Sequence, residues 1–141
     1  MHLRKIIFIC FLNIIIFSSC VFGTVEWFIY RVDFATNAGR GSSIATDNNN
    51  RPHISYWDES TDALKYASFE GSAWLIQTVD AVGSNPNVGT TSIAIDSNNR
   101  PHISYRDPVT TDLKYASWEG TKWSIQTVEA SGSVEIGRAH V

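Results

Sequence analysis

The string Asn-Asn-Arg-Pro-His-Ile-Ser-Tyr occupies residues 49–56 and returns unchanged at 98–105. Extended in both directions, 43–85 aligns with 92–134 without a gap at 29 identical positions of 43, a period of 49 residues. Asp47/Asp96, Pro52/Pro101, Tyr56/Tyr105, Lys65/Lys114 and Trp74/Trp123 carry the match. A partial copy comes earlier: "WFIYRVD" at 27–33 matches "WLIQTVD" at 74–80 and "WSIQTVE" at 123–129. A fixed period of this length marks stacked units, each burying a face on its neighbour.

Every period holds four short runs: "SSIATD" or "TSIAID", "PHISYWD" or "PHISYRD", "LKYASFE" or "LKYASWE", and "WLIQTVD" or "WSIQTVE". The first run is of small and branched residues ending at an aspartate; the other three alternate polar with apolar residues or are rich in β-branched and aromatic ones, and turn residues bound each of them. These are strand signals, without helical spacing anywhere in the body. Pro52 and Pro101 open a strand, where a missing N–H costs no ladder bond. Four antiparallel strands in a period of this size are the mark of a β-propeller blade. The expected fold is therefore all-β, with two complete blades plus one strand of an incomplete ring; a β-sandwich or a solenoid is the runner-up. Residues 43–91 form the first repeat with its linker and 92–134 the second. Residues 24–42 hold the last strand of a preceding blade and a linker. Because a ring needs about four to eight blades, the exposed edges would be prone to self-association unless further blades continue them.

The two ends of the chain read differently. Arg4 and Lys5 precede an apolar run from Ile6 to Phe17, and small residues follow. Residues 1–23 are thus expected to be a secretory signal peptide. "FSSC" at 17–20 offers an alternative, a lipobox that would make Cys20 a lipidated N-terminus and tether the protein to a membrane. Both cysteines, Cys10 and Cys20, lie in this leader, which leaves the body without a disulfide framework or thiolate metal site. The final "EIGRAHV", 135–141, is what the adapter-like string GAG-ATC-GGA-AGA-GCA-CAC-GTC encodes and is expected to be non-native. Between leader and tail the formal charge is about −5, which argues against nucleic acid, since phosphate binding needs a basic surface. The expected location is secreted or at the cell surface.

The pattern "SIAIDSNNRPHISY…LKYAS…W…TV" resembles the repeats of sialidase-like, Asp-box-related propellers of bacterial and archaeal surfaces. The resemblance covers 27–134 and implies a propeller; such propellers include glycosidases, lectins and adhesion modules. "ATDNNNRPH" and "AIDSNNRPH" keep the aspartate of an Asp-box but replace its glycine with asparagine and lack its Thr-Trp pair. The three arginines and tyrosine–carboxylate pair of a sialidase site cannot be placed within two near-identical repeats.

Candidate sites divide into repeated and unrepeated residues. Asp47 and Asp96 suggest calcium, but Arg51 and Arg100 follow where a cation loop wants a ligand, so a turn capped by aspartate is favoured. His53 and His102 share a strand face with Ser55 and Ser104. One histidine per repeat makes no metal set, and no orienting carboxylate or nucleophile elbow accompanies the serines. Asp47, Pro52, His53, Tyr56 and Trp74, with Asp96, Pro101, His102, Tyr105 and Trp123, are therefore assigned to structure. No catalytic residue, metal or cofactor is expected. Between the copies Trp57 becomes Arg106 and Phe69 becomes Trp118, beside the constant Asp58 and Asp107; these six are the expected ligand-binding positions, placed at the strand two to three connection. The function expected is binding or adhesion to an extracellular glycan or protein. The rivals are a glycoside-processing enzyme with its active site on further blades, and a structural segment of a larger surface protein.

Overall fold

Eight strands account for all regular structure in the computed structural model, which describes residues 29–83 and 89–130. The expected leader with Cys20, the tail 135–141, and Trp27 lie outside the described residues. The strands are β1 (Ala38–Thr46), β2 (Pro52–Asp58), β3 (Ala63–Phe69), β4 (Trp74–Ala81), β5 (Thr91–Ile95), β6 (Pro101–Arg106), β7 (Leu113–Trp118) and β8 (Trp123–Glu129). They form two four-stranded antiparallel sheets, ordered β1-β2-β3-β4 and β5-β6-β7-β8, which are the two repeats. Sheet 1 and sheet 2 are not closed into a barrel; each is the up-and-down unit expected of a blade.

The sequence pattern explains this locally. β2 and β6 begin at Pro52 and Pro101, as their chemistry requires. Before them the chain reverses at Asn50 and Asn99, with φ of 58° and 60°, a left-handed conformation that asparagine tolerates better than most residues. β1 starts at Ala38, inside the stretch expected to be linker, and reaches its partner through register shifts between Ala38 and Ser43. Two glycines of that bulged segment, Gly39 and Gly41, have positive φ. A Cβ on Gly41 would sit 2.4 Å from the Gly89 carbonyl oxygen, so this glycine permits the close approach of the two sheets.

Residues alternate between a forward face, turned from sheet 1 to sheet 2, and a backward face. In β2, Ser55 Oγ bonds Thr91 Oγ1 of β5 at 2.7 Å, while Tyr56 donates backward to Asp33 Oδ2 at 2.7 Å. In β6, Ile103 and Tyr105 point back into sheet 1, leaving Ser104 and Arg106 forward and exposed. The core lies between the sheets and contains Trp57, Leu64, Tyr66 and Val79 from sheet 1 with Ile93, Ile103, Tyr105 and Ala116 from sheet 2. Trp57 and Tyr105 meet edge to face at 6.0 Å.

The partial copy behaves in part like its relatives. Residues 29–33 do not join a sheet, although 27–33 was expected to be a strand. Yet Asp33 receives the Tyr56 hydroxyl, just as Asp80 of β4 receives the Tyr105 hydroxyl at 2.6 Å. Asp33 and Asp80 hold the same place in their copies of the pattern. The Tyr56 bond holds the Asp33 carboxyl below the usual aspartate range. Burial and the aspartate partner push both tyrosine hydroxyls well above theirs.

Candidate functional site

At the end of the sheets where β1 turns into β2 and β3 into β4, a cleft of about 270 Å³ opens between sheet 1 and sheet 2. Sheet 1 supplies Arg51, His53, Tyr66, Glu70 and Gln77, and sheet 2 contributes the side of Trp118. Local structure fixes each of these. Asp47 Oδ1 accepts the backbone N–H groups of Asn49 and Arg51, both at 2.8 Å, which closes the turn and aims Arg51 outward. Those backbone bonds, that of Arg51 above all, hold the Asp47 carboxyl below its usual range. The Asn48 side chain and backbone then bond Ser97 and Asn99 of the matching turn, at 3.0 Å each, and tie the cleft's two walls together.

Arg51 Nη1 lies 3.6 Å from Glu70 Oε2, with both side chains about half exposed. So spaced, the pair presents a flat donor fork beside an acceptor, with unused hydrogen-bonding capacity on each. Trp118 forms the facing wall. Its ring packs on Trp123, which also meets Tyr66 edge to face at 5.2 Å and donates its indole N–H to Gln77 at 3.0 Å. These contacts hold the aromatic wall at a set distance from the polar one.

Deeper in the cleft, His53 Nδ1 and Tyr66 Oη are 2.5 Å apart, and the same contact recurs between His102 and Tyr115. Burial pushes the Tyr66 phenol up to about 12, so it keeps its proton at neutral pH. With the phenol as donor, a neutral imidazole carries its own proton on Nε2. That nitrogen is buried without a hydrogen-bond partner, 3.7 Å from Asp47 Oδ2. Among the described residues no three His, Cys, Asp or Glu side chains gather as a metal set.

The six expected binding positions do not form one surface. Trp57 is 1 % exposed and belongs to the core. Asp58 and Asp107 are buried and turned onto their own loops. Burial works to raise Asp58, but bonds from Ser60 and Thr61 outweigh it and hold the carboxyl low. Asp107 is likewise held low against its burial, by Lys114 at 2.6 Å and by the N–H groups of Thr110 and Val109. Arg106 stands on the forward face of sheet 2. Phe69 and Trp118 are not at the strand two to three connection; they end β3 and β7, at the opposite end of each sheet. A strand of seven residues separates the two ends by roughly 20 Å. Of the six, Trp118 alone lines the cleft.

Sequence reasoning missed Arg51, Glu70 and Gln77. The available signal was their constancy: Arg100, Glu119 and Gln126 are the same residues one period on. A site built once per repeat needs residues that repeat. Variation between copies instead followed burial, since Trp57 lies beneath sheet 2 while Arg106 faces outward.

No family model and no curated protein matches the chain. Among solved structures, a fucose lectin from Kordia zhangzhouensis in complex with methyl-fucoside is similar at a TM-score of 0.45 and 18% identity, over 65% of this chain and 64% of that one. The chain thus spans less than two thirds of the length of that lectin.

Proposed function

We propose that the protein is an exported glycan-binding repeat module, and that the cleft between sheet 1 and sheet 2 is its sugar site. The observation that carries this reading is the Arg51–Glu70 pair facing Trp118 across a small cleft. A pyranose ring has an apolar C–H face and a rim of hydroxyl groups that both donate and accept. An indole suits the first, and an arginine fork beside a carboxylate suits the second. The buried His53 and Tyr66 close the floor with polar atoms, and the cleft is near the small end of ligand pockets. Export rests on the leader reading of residues 1–23.

The test is a glycan array followed by calorimetry with the sugar that binds best. Trp118→Ala and Glu70→Gln should each weaken that binding at least tenfold, about 1.4 kcal/mol, with an unchanged circular dichroism spectrum. Equal affinity in both folded variants would overturn the assignment of the cleft.

A further inference from the structure

The interface between the two sheets is written twice in this chain, and among the described residues only one copy of it is used. Its forward side is sheet 1: Gln77 accepts the indole N–H of Trp123, and Asp80 accepts the hydroxyl of Tyr105. One period later, Gln126 and Glu129 occupy the same two places on the forward face of sheet 2, and both are exposed. Leu113 and Val128 are exposed near them, at 42% and 63%. The backward side is sheet 2, with Tyr105 and Trp123; one period earlier stand Tyr56 and Trp74. Trp123 Nε1 is satisfied, whereas Trp74 Nε1 is buried without a hydrogen-bond partner among the described residues. One end of the molecule thus holds an orphaned donor, and the other holds the acceptor that satisfies its equivalent.

The sugar cleft is divided in the same way. Sheet 2 carries forward equivalents of its polar wall in Arg100, His102, Tyr115, Glu119 and Gln126, with the His102–Tyr115 contact already formed at 2.5 Å. It has no facing aromatic wall among the described residues. Sheet 1 carries that wall on its backward side, where Phe69 holds the place of Trp118 and packs on Trp74 at 5.4 Å.

We propose that a second copy of this chain docks head to tail, its sheet 1 on the sheet 2 of the first, and that the junction completes a second sugar site. Gln126 then accepts from the partner's Trp74, whose Nε1 is uncovered on docking, and the partner's Phe69 faces Arg100 and Glu119. Glu129 takes over the partner's Tyr56 hydroxyl from the partner's Asp33, so the 29–33 segment must yield at that corner. Such a contact is heterologous: the pair keeps one free outer face at each end, sheet 1 of the first copy and sheet 2 of the second, and repetition gives a closed ring or a filament. The site chemistry rests on the glycan reading of the first cleft; the docking rests on the unpaired Trp74 and its matched acceptor.

Sedimentation velocity and light scattering on the full chain, over a hundredfold range of concentration, test the docking. The expected result is concentration-dependent assembly that Gln126→Lys weakens at least tenfold and that Asp33→Ala, which vacates the Tyr56 hydroxyl, strengthens. Calorimetry on the assembled protein should find about two sugars per chain, falling to one in Gln126→Lys. A chain that stays monomeric, or that assembles equally well as Gln126→Lys, overturns the proposal even if the first cleft binds sugar. Assembly that responds to both variants in a protein that binds no sugar upholds the docking and overturns the glycan reading.

Discussion

Ile54 and Ile103 hold the same place in the repeated string, yet Ile103 is fully buried and Ile54 only partly. Ile103 points back into sheet 1, while Ile54 points back toward residues 31–42 across a cavity of about 400 Å³. Burial, not identity, sets the cost of truncation. Ile103→Ala should therefore destabilise by about 2–5 kcal/mol and Ile54→Ala by about 1 kcal/mol, values that urea denaturation of the two variants can compare. Equal losses would mean that both isoleucines are covered alike. The same contrast separates His53 from His102, and Ser55 from Ser104: each member in sheet 1 is buried, and its copy one period later is more open. A sequence repeat equates these residues because it records which face they take, and not what lies opposite.

Within the elements, the turns show where local chemistry governs. Asp47 and Asp96 each cap their own reversal, through Oδ1 bonds to the residues two and four positions on. Both turns place asparagine at the left-handed position. The β6–β7 connection is different, because Thr111 adopts φ of 67° there. A β-branched residue in that region is strained, and the strain persists because the loop is closed on both sides by bonds between Asp107, Thr111 and Asp112. Thr111→Asn should relieve it and raise stability by about 1 kcal/mol, seen as a higher urea midpoint at unchanged slope. A lower midpoint would show that the threonine side chain contributes more than its backbone costs. Sequence alone marked this connection as variable, with Arg106 in place of Trp57 and Pro108 in place of Glu59, and expected ligand binding there; it carried no sign of the strain at Thr111.

At the scale of the whole molecule, the sheets are joined by the half-buried carboxylate of Asp80 as well as by the core. Asp80 receives Tyr105 and lies 3.5 Å from Lys114, which also reaches Asp107 at 2.6 Å. Burial opposes the charge on Lys114, yet its two aspartate partners raise its pKa. Asp33, Asp58 and Asp107 are all held below the ordinary aspartate range. Carboxyls with a lowered folded pKa bind fewer protons than the unfolded chain near pH 4. Their stabilisation is complete above the unfolded value of about 3.9 and is lost as pH falls through the lower folded values. The melting temperature should therefore drop steeply below about pH 4. Lysine works in the opposite direction: its contribution holds below about 10.4 and fades as pH rises through the raised value. Asp107→Asn should flatten the acid limb of a plot of melting temperature against pH; an unchanged limb would locate acid sensitivity elsewhere.

Periodicity determined the eight strands, their order, their turns and their antiparallel pairing, because each follows from alternation and from residues with local backbone preferences. It also determined that Pro52 and Pro101 open strands and that Asp47 and Asp96 close turns. Which face of each sheet is covered was decided by the tertiary structure alone, because burial depends on the neighbour stacked across the face, which lies dozens of residues away in the chain. For that reason Trp57, conspicuous in sequence, is core. Arg51, Glu70 and Trp118, about 20 to 70 residues apart in the chain, become one site only when the second sheet packs against the first.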